Sequence, residues 1–371
     1  MSFNVAIIGC GAIAKRAHIP IIKKMISNKL NLVAVCDINP KRAKSIARNF
    51  SIRNHYSNIN EMLKKEKIDI AVIATPHFTH AEIARKCAEN GINLIIEKPL
   101  SNNLKGALAI MDIVRSNNVK ATIVQNYRFF KSLNQVKALL ERGELGRITQ
   151  IYASAHNPFP NSWTRSTWPY EDEKGVLIDL FPHVVDTILW LLNFPTIEEV
   201  FAVGDTLLNN KEFITYSSAL VEFNGGIYSF FETSWLNGLM DMTVIIRGTA
   251  GRILLDIRND FYTVLRGFVT PLDELIPAIK KASRLAVEIV KGIYFTKPLL
   301  SIKFIYDRMI DSLLKGTREP IPIEEGVLVI GLIEAIHESI KKKTLVRLDE
   351  LFEKFGYNYK NIVLRYISST K

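Results

Sequence analysis

The sequence lacks the features that mark a specialised class. Cysteine occurs only three times in 371 residues, at Cys10, Cys36 and Cys87. The number is odd and the spacings are wide, which excludes a disulfide framework and a cysteine metal knuckle. A reduced, cytoplasmic setting is the expectation. No apolar run is long and clean enough to cross a bilayer. The most apolar stretch, 176–194, is interrupted by Asp179, His183 and Asp186. The first residues carry no basic leader and no cleavage motif, so no secretory signal is expected. There is no repeat, low-complexity tract or long linker, and collagen, coiled-coil and disordered classes are excluded by composition. Zinc-finger spacing and RNA-reading aromatic motifs are absent, so nucleic acid is not an expected partner.

What is present is the balance of an ordinary globular chain, with 48% hydrophobic and 23% charged residues. The length suits two domains. Forty-eight basic residues against 37 acidic ones give a net charge of +11. That balance favours anionic ligands such as phosphates, nucleotides and acidic sugars without choosing among them. The densest basic run, Lys341 to Lys343, falls at the end of an expected helix, where cations suit the dipole.

Through residue 125 the chain alternates short β-branched runs with helical stretches. Val5–Ile8, Leu32–Cys36, Ile70–Ala74, Leu94–Ile96 and Ala121–Val124 read as buried strands, and 13–25, 41–50, 61–67, 80–90 and 104–117 as helices. Near-continuous apolar strands separated by helices imply a parallel sheet covered on both faces. Right-handed crossovers make it doubly wound. The expected fold class is therefore α/β, with a nucleotide-binding Rossmann domain over 1–125 and a second α/β domain over 126–371. In the second part, alternating runs from Val200 to Leu265 suggest a large, mostly antiparallel sheet, and Gly225–Gly226 is a hairpin signal. The segment 272–293 repeats apolar residues at helical spacing with Lys280, Lys281, Arg284 and Lys291 elsewhere on the helix. It reads as a helix packed on its own sheet or on a subunit partner, with a helix that lies on a membrane or covers the active site as the alternative.

The strand Val5–Ile8 runs into Gly9, Gly11 and Ala14, and Asp37 closes the next strand. Gly9 permits a tight turn, Gly11 lets the backbone approach a pyrophosphate, and Ala14 is small enough for the helix to pack on the sheet. The N–H groups of Ala12 and Ile13 open the helix and face the anion. The Asp37 carboxylate suits the two ribose hydroxyls and repels a 2′-phosphate, which favours NAD. Arg42 nearby keeps NADP open. Thr75, Pro76, His77 and His80 follow another strand and lie along the expected cofactor site.

Two further groups carry chemistry. Lys98, in Glu97-Lys98-Pro99, stands at the carboxyl end of a parallel strand, where ligands of such sheets bind. Alone, it reads more often as a surface lysine. Asp179, His183 and Asp186 fall at i, i+4 and i+7 and share one face of an expected helix over 175–192, with Pro182 a local disturbance. A carboxylate and an imidazole one turn apart can relay a proton. They also occur as a satisfied core histidine, and the spacing leaves both readings open.

These motifs together resemble the Gfo/Idh/MocA oxidoreductases. The resemblance rests on the glycine turn with His18, Ile19 and Pro20, on Glu97-Lys98-Pro99, on Asn126-Tyr127-Arg128-Phe129, on Asp179, His183 and Asp186, on the Arg247–Gly251 turn and on the Pro320–Ser339 segment. It implies hydride transfer between a nicotinamide cofactor and a hydroxyl-bearing carbon of a sugar, sugar derivative or polyol. It also implies a homodimer or homotetramer through the second sheet. Lys98 would then hold substrate and cofactor in register, His183 would be the base, and Asp179 would bind substrate and tune His183. Tyr127 and Arg128 would line the substrate side, and Glu97 and Asn126 would complete the cofactor set. A base poised near neutral pH suits an alcohol that loses a proton as hydride leaves.

Some residues depart from the family pattern. His77 replaces a frequent Asn, and 171–174 is acidic where relatives carry glycine. His77 and His80 have a spacing that a metal could use, but no carboxylate or cysteine joins them, so no metal is expected. The helix over 272–293 is similar to an insertion in relatives acting on larger or nucleotide-bearing sugars. His156 and Arg165 are candidate substrate contacts, Trp163 and Trp168 could stack on a sugar face, and His55 and His337 read as surface residues. No membrane contact is expected. Two alternatives remain: an enzyme that retains NAD and uses transient oxidation for elimination or glycoside cleavage, and a non-catalytic nucleotide sensor.

Overall fold

The computed structural model describes residues 2–26, 28–160, 172–207, 212–267 and 270–370. The chain forms two compact units: Met1–Asn126 with Leu299–Ile330, and Tyr127–Pro298 with Gly331–Lys371. The linear division expected at residue 125 assigns 299–330 to the second domain. The contacts assign it to the first, for reasons visible in its hydrogen bonds.

The first unit is built on six parallel strands: β1 (Phe3–Ile8), β2 (Leu30–Cys36), β3 (Asn54–Tyr56), β4 (Ile70–Ile73), β5 (Asn93–Ile96) and β6 (Ala121–Ile123). Their order is β3-β2-β1-β4-β5-β6. This is the doubly wound arrangement, with the order reversing between β1 and β4. β4 is buried along its whole length, as a central parallel strand must be. Asparagines start three of the helices: Asn39 caps Pro40–Asn49, Asn58 caps Ile59–Lys65 and Asn103 caps Leu104–Ser116, each side chain accepting backbone N–H groups of the first turn. The helix after β1 is not regular. It has π-helical stretches at Ala14–His18 and Ile21–Met25, and Pro20 between them has no N–H to carry the ladder across.

The returning segment closes the β6 edge. Ile123 N donates to Ile321 O at 3.2 Å, Thr122 Oγ1 donates to the same carbonyl at 2.9 Å, and Lys120 Nζ reaches Ser312 Oγ at 2.8 Å. An open edge of unpaired backbone groups is thereby covered.

The second unit carries eight strands: β7 (Ile148–His156), β8 (Ile197–Asp205), β9 (Tyr216–Phe223), β10 (Ile227–Ser234), β11 (Asp241–Gly248), β12 (Gly251–Asp256), β13 (Phe261–Leu265) and β14 (Val346–Arg347), in the order β13-β12-β11-β7-β10-β9-β8-β14. Among the described residues of this sheet, only β7 and β10 pair in parallel. Gly225 and Gly226, at φ of +84° and +74°, turn β9 into β10 as the sequence predicts. One face is core, with Val200, Val221, Phe223, Phe231 and Val244 buried. The other face places Phe201 opposite Leu220, Leu220 opposite Phe230 and Phe230 opposite Tyr152, a row across four strands.

Candidate active site

In the first unit the glycine turn and Asp37 form one structure. Gly9 has φ of +98°, and a Cβ there would stand 2.3 Å from Ala74 O, so only glycine fits. Its N–H donates to Cys36 O at 2.8 Å. A Cβ on Gly11 would meet nothing within 4 Å. The space above that residue is open to an approaching ligand, and Ala12 and Ile13 form an exposed rim beside it. Asp37 is buried. Its Oδ2 accepts from Cys10 N at 2.9 Å and its Oδ1 from Asn39 N at 2.8 Å. Each oxygen keeps a lone pair for another donor. The Arg42 guanidinium lies 3.5 Å from Oδ2, half exposed. The turn, the open backbone and the acceptor carboxylate fit a dinucleotide. Burial, with Asp37 adding to it, pushes the Cys10 thiol up to about 12, and burial holds Cys36 at about 11, so neither is a nucleophile near neutral pH.

Lys98 is half-buried in the same unit, and a hydrogen-bonded chain supports the turn that presents it. His18 Nδ1 bonds Tyr306 Oη at 2.7 Å, and its Nε2 bonds Glu97 Oε1 at 2.8 Å. Glu97 Oε2 accepts from Lys98 N at 3.2 Å. His18 and Tyr306 are fully buried. Sequence reasoning gives His18 only as part of a motif and gives no signal for Tyr306, which lies 288 residues away. Asn126 is likewise tied to the returning segment, through Nδ2 to Ser301 Oγ at 2.9 Å.

His80, a candidate cofactor residue, is held inside the first unit. It is fully buried, with Nδ1 facing Pro99 O and Leu100 O and Nε2 facing Thr75 O at 2.9 Å. Both ring nitrogens are used inside the unit. Burial lowers its pKa, and the ring serves as a strut between the Thr75 and Pro99 turns. Thr75 is half-buried and Pro76 exposed. His77 is buried beside Phe78. Among the described residues no cluster of three or more His, Cys, Asp or Glu could hold a metal.

In the second unit the expected single helix over 175–192 is two helices, Val176–Asp179 and Phe181–Leu191, joined at Leu180. Pro182 cannot continue the first ladder and instead occupies the opening turn of the second. Leu180 at the junction keeps helical dihedrals. Asp186 is buried against Arg128, whose Nε donates to Oδ2 at 2.8 Å and whose Nη2 bonds Oδ1. The guanidinium also lies over Phe194. Arg128, expected to line the substrate side, is 5% exposed and held in a buried ion pair. His183 is half-buried and stacks on Tyr127, with ring centroids 4.5 Å apart. Asp179 is buried. Gly175 at φ +48° starts this region, and a Cβ there would strike Ile214 O at 2.2 Å.

His156 ends β7 between two carboxylates, 2.9 Å from Asp241 Oδ1 and 3.4 Å from Glu232 Oε1. Asn157 beside it is buried, and its Oδ1 has no hydrogen-bond partner among the described residues. Arg165, Trp163 and Trp168 lie outside the described residues. His337, read as a surface residue, is buried with Glu173 at 3.7 Å. His55 is exposed.

Residues 3–125 match the model of the Gfo/Idh/MocA oxidoreductase family, NAD-binding Rossmann fold, and residues 133–254 match the Gfo/Idh/MocA C-terminal domain. The chain belongs to this family. Levoglucosan dehydrogenase of Pseudarthrobacter phenanthrenivorans is 31% identical over 164 residues, 43% of this chain and 42% of that protein. Glucose-6-phosphate 3-dehydrogenase of Bacillus subtilis is 29% identical over 216 residues, covering 56% of this chain and 59% of the relative. The match thus spans about half the length of these two relatives. The NADP(+) scyllo-inositol 2-dehydrogenase of Bacillus subtilis is 23% identical over 364 residues, 94% of this chain and 96% of that one. Among solved structures, the WlbA dehydrogenase from Bordetella pertussis, a complex with NADH and UDP-GlcNAcA, superposes with a TM-score of 0.79 at 22% identity. It is covered over 99% of its chain and this chain over 94%. At that identity the likeness establishes the Gfo/Idh/MocA fold. In this family member the glycine turn and Asp37 belong to the first unit with Lys98, and Asp179 and His183 to the second.

Proposed function

We propose that this Gfo/Idh/MocA protein is a nicotinamide-dependent oxidoreductase acting on a hydroxyl-bearing carbon of a sugar, sugar derivative or polyol. The observation that carries the reading is the glycine turn, where open backbone above Gly11 adjoins an Asp37 carboxylate already held in place by two backbone N–H groups. The named dehydrogenases among its relatives support the substrate class.

When bound, the nicotinamide supplies the hydride acceptor or donor. Gly9 shapes the turn, and the backbone N–H groups of Gly11, Ala12 and Ile13 would hold the pyrophosphate. Asp37 accepts from the ribose hydroxyls, which favours NAD, and the exposed Arg42 leaves NADP accessible. Lys98 donates to the substrate hydroxyl and steadies it. His183 takes the hydroxyl proton in the oxidative direction and returns it in the reductive one. Asp179 orients the substrate, and Tyr127 holds the imidazole. Three buried thiols suit a cytoplasmic setting. The row Phe201, Leu220, Phe230 and Tyr152 offers an apolar sheet face for a homodimer or tetramer, and Phe230→Glu should reduce the solution mass.

The test combines native mass spectrometry with turnover on a sugar and polyol panel. Purified protein should carry NAD(H) or bind it on addition. Lys98→Ala and His183→Ala should each lower kcat by about 10²- to 10⁴-fold while NADH binding persists. Full turnover in both variants would overturn the assignment, and failure to bind either nucleotide would overturn the function.

A further inference from the structure

The helix Pro271–Val290 is docked by its polar face. Lys281 Nζ lies 2.5 Å from Asp256 Oδ2 at the end of β12, and Arg284 Nη2 lies 3.3 Å from Asp260 Oδ2. The Arg284 guanidinium sits over Phe261 of β13, 6.0 Å from the ring centre. Glu288 extends the cluster to Arg284 at 2.8 Å and to Lys297 at 2.6 Å. No side chain of this helix is buried. The apolar residues expected to pack on the sheet point elsewhere: Leu272, Leu275, Ile276, Ile279, Val287 and Val290 are all about half exposed or more, with Val290 at 86%. Their three- and four-residue steps put them in one stripe along a helix about 30 Å long.

An exposed stripe of this kind marks an interaction surface. Lys280 and Lys291 each follow a stripe residue by one turn, Ile276 and Val287 respectively. Among the described residues neither is paired with a carboxylate. No helix among the described residues is long and apolar enough to cross a membrane. We propose that this stripe lies flat on an anionic membrane surface, with its apolar side chains in the headgroup boundary and Lys280 and Lys291 on the lipid phosphates. The lysine margin and the net charge of +11 complement such a surface. This replaces the expectation of no membrane contact with a peripheral, reversible one, and it does not depend on the proposed reaction.

The test is co-sedimentation of the full chain with vesicles containing phosphatidylglycerol and with vesicles of phosphatidylcholine alone. Binding should be about tenfold stronger to the anionic vesicles and should fade with salt. The double variant Leu275→Ser/Ile279→Ser should lose vesicle binding while keeping its melting temperature and oligomer mass. Lys280→Glu/Lys291→Glu should weaken binding about tenfold. Wild-type protein that stays in solution with anionic vesicles overturns the proposal. So does an unchanged double variant, or one whose oligomer mass falls, which would make the stripe a contact between copies.

Discussion

Tyr127 stacks on His183 with ring centroids 4.5 Å apart and planes inclined by 26°. The next residue, Arg128, bonds Asp186 three positions further along the same helix. Two successive side chains thus fix the helix Phe181–Leu191 at two points, one through an imidazole and one through a buried carboxylate. A base that must meet a proton in a set direction gains from a ring that cannot turn. Tyr127→Phe keeps the stack and should leave turnover within about twofold, whereas Tyr127→Ala should lower kcat about ten- to hundredfold, the scale of a misplaced catalytic group. Steady-state kinetics decide it. Equal rates in both variants would make the stack ornamental.

Gly9 and Gly11 make opposite predictions although they sit two residues apart. A Cβ on Gly9 would collide with Ala74 O in a backbone region that other residues avoid, so Gly9→Ala should lower the melting temperature by several degrees, as a cost of about 1–3 kcal/mol implies. A Cβ on Gly11 meets no protein atom within 4 Å. Gly11→Ala should melt like wild type and still bind NADH at least tenfold more weakly, because the methyl group fills the approach to the pyrophosphate. Differential scanning fluorimetry with and without NADH separates the two. A Gly11→Ala protein with wild-type NADH affinity would remove this turn from the cofactor site.

The strands of the first unit were legible because they are buried on both faces and read as unbroken apolar runs, as in Ile70–Ile73. The edge strand Asn54–Tyr56 was not, because it is three residues long and polar. Pro182 announced a disturbance in the sequence, but only the structure shows that the helix is divided at Leu180 and that Asp186 pairs with Arg128. Periodicity identified the helix 272–293 and left its faces open, since a period does not say which side meets the sheet. There the salt bridges to Asp256 and Asp260 decide. Long-range partners such as His18 and Tyr306 leave no local pattern.

Asp37 holds the turn through two backbone hydrogen bonds, and the proposed function has it set the cofactor preference through its charge. Asp37→Asn removes the charge and keeps one of the two acceptors that the backbone N–H groups use, so it should move the ratio of NADP to NAD affinity by about tenfold toward NADP, or 1.4 kcal/mol. Asp37→Ala removes both functions and should weaken both nucleotides. Titration calorimetry with each nucleotide checks this, and an unchanged ratio in Asp37→Asn would separate Asp37 from the ribose.

His337 gives the protein a defined sensitivity to acid. Burial, assisted by Lys174, lowers its pKa to about 4, while an unfolded histidine titrates near about 6.5. Between those values the unfolded chain binds the proton and the folded chain does not. Stability from this group is therefore complete above about pH 6.5, declines as the pH falls toward 4, and levels off below it. Glu173, 3.7 Å away and more than half exposed, is too well solvated to hold the ring charged. His337→Leu cannot take the proton in either state. Its urea midpoint should fall less steeply than the wild-type midpoint across that window, whatever the offset between the two proteins. Parallel curves for the two proteins would show that His337 is protonated as easily folded as unfolded.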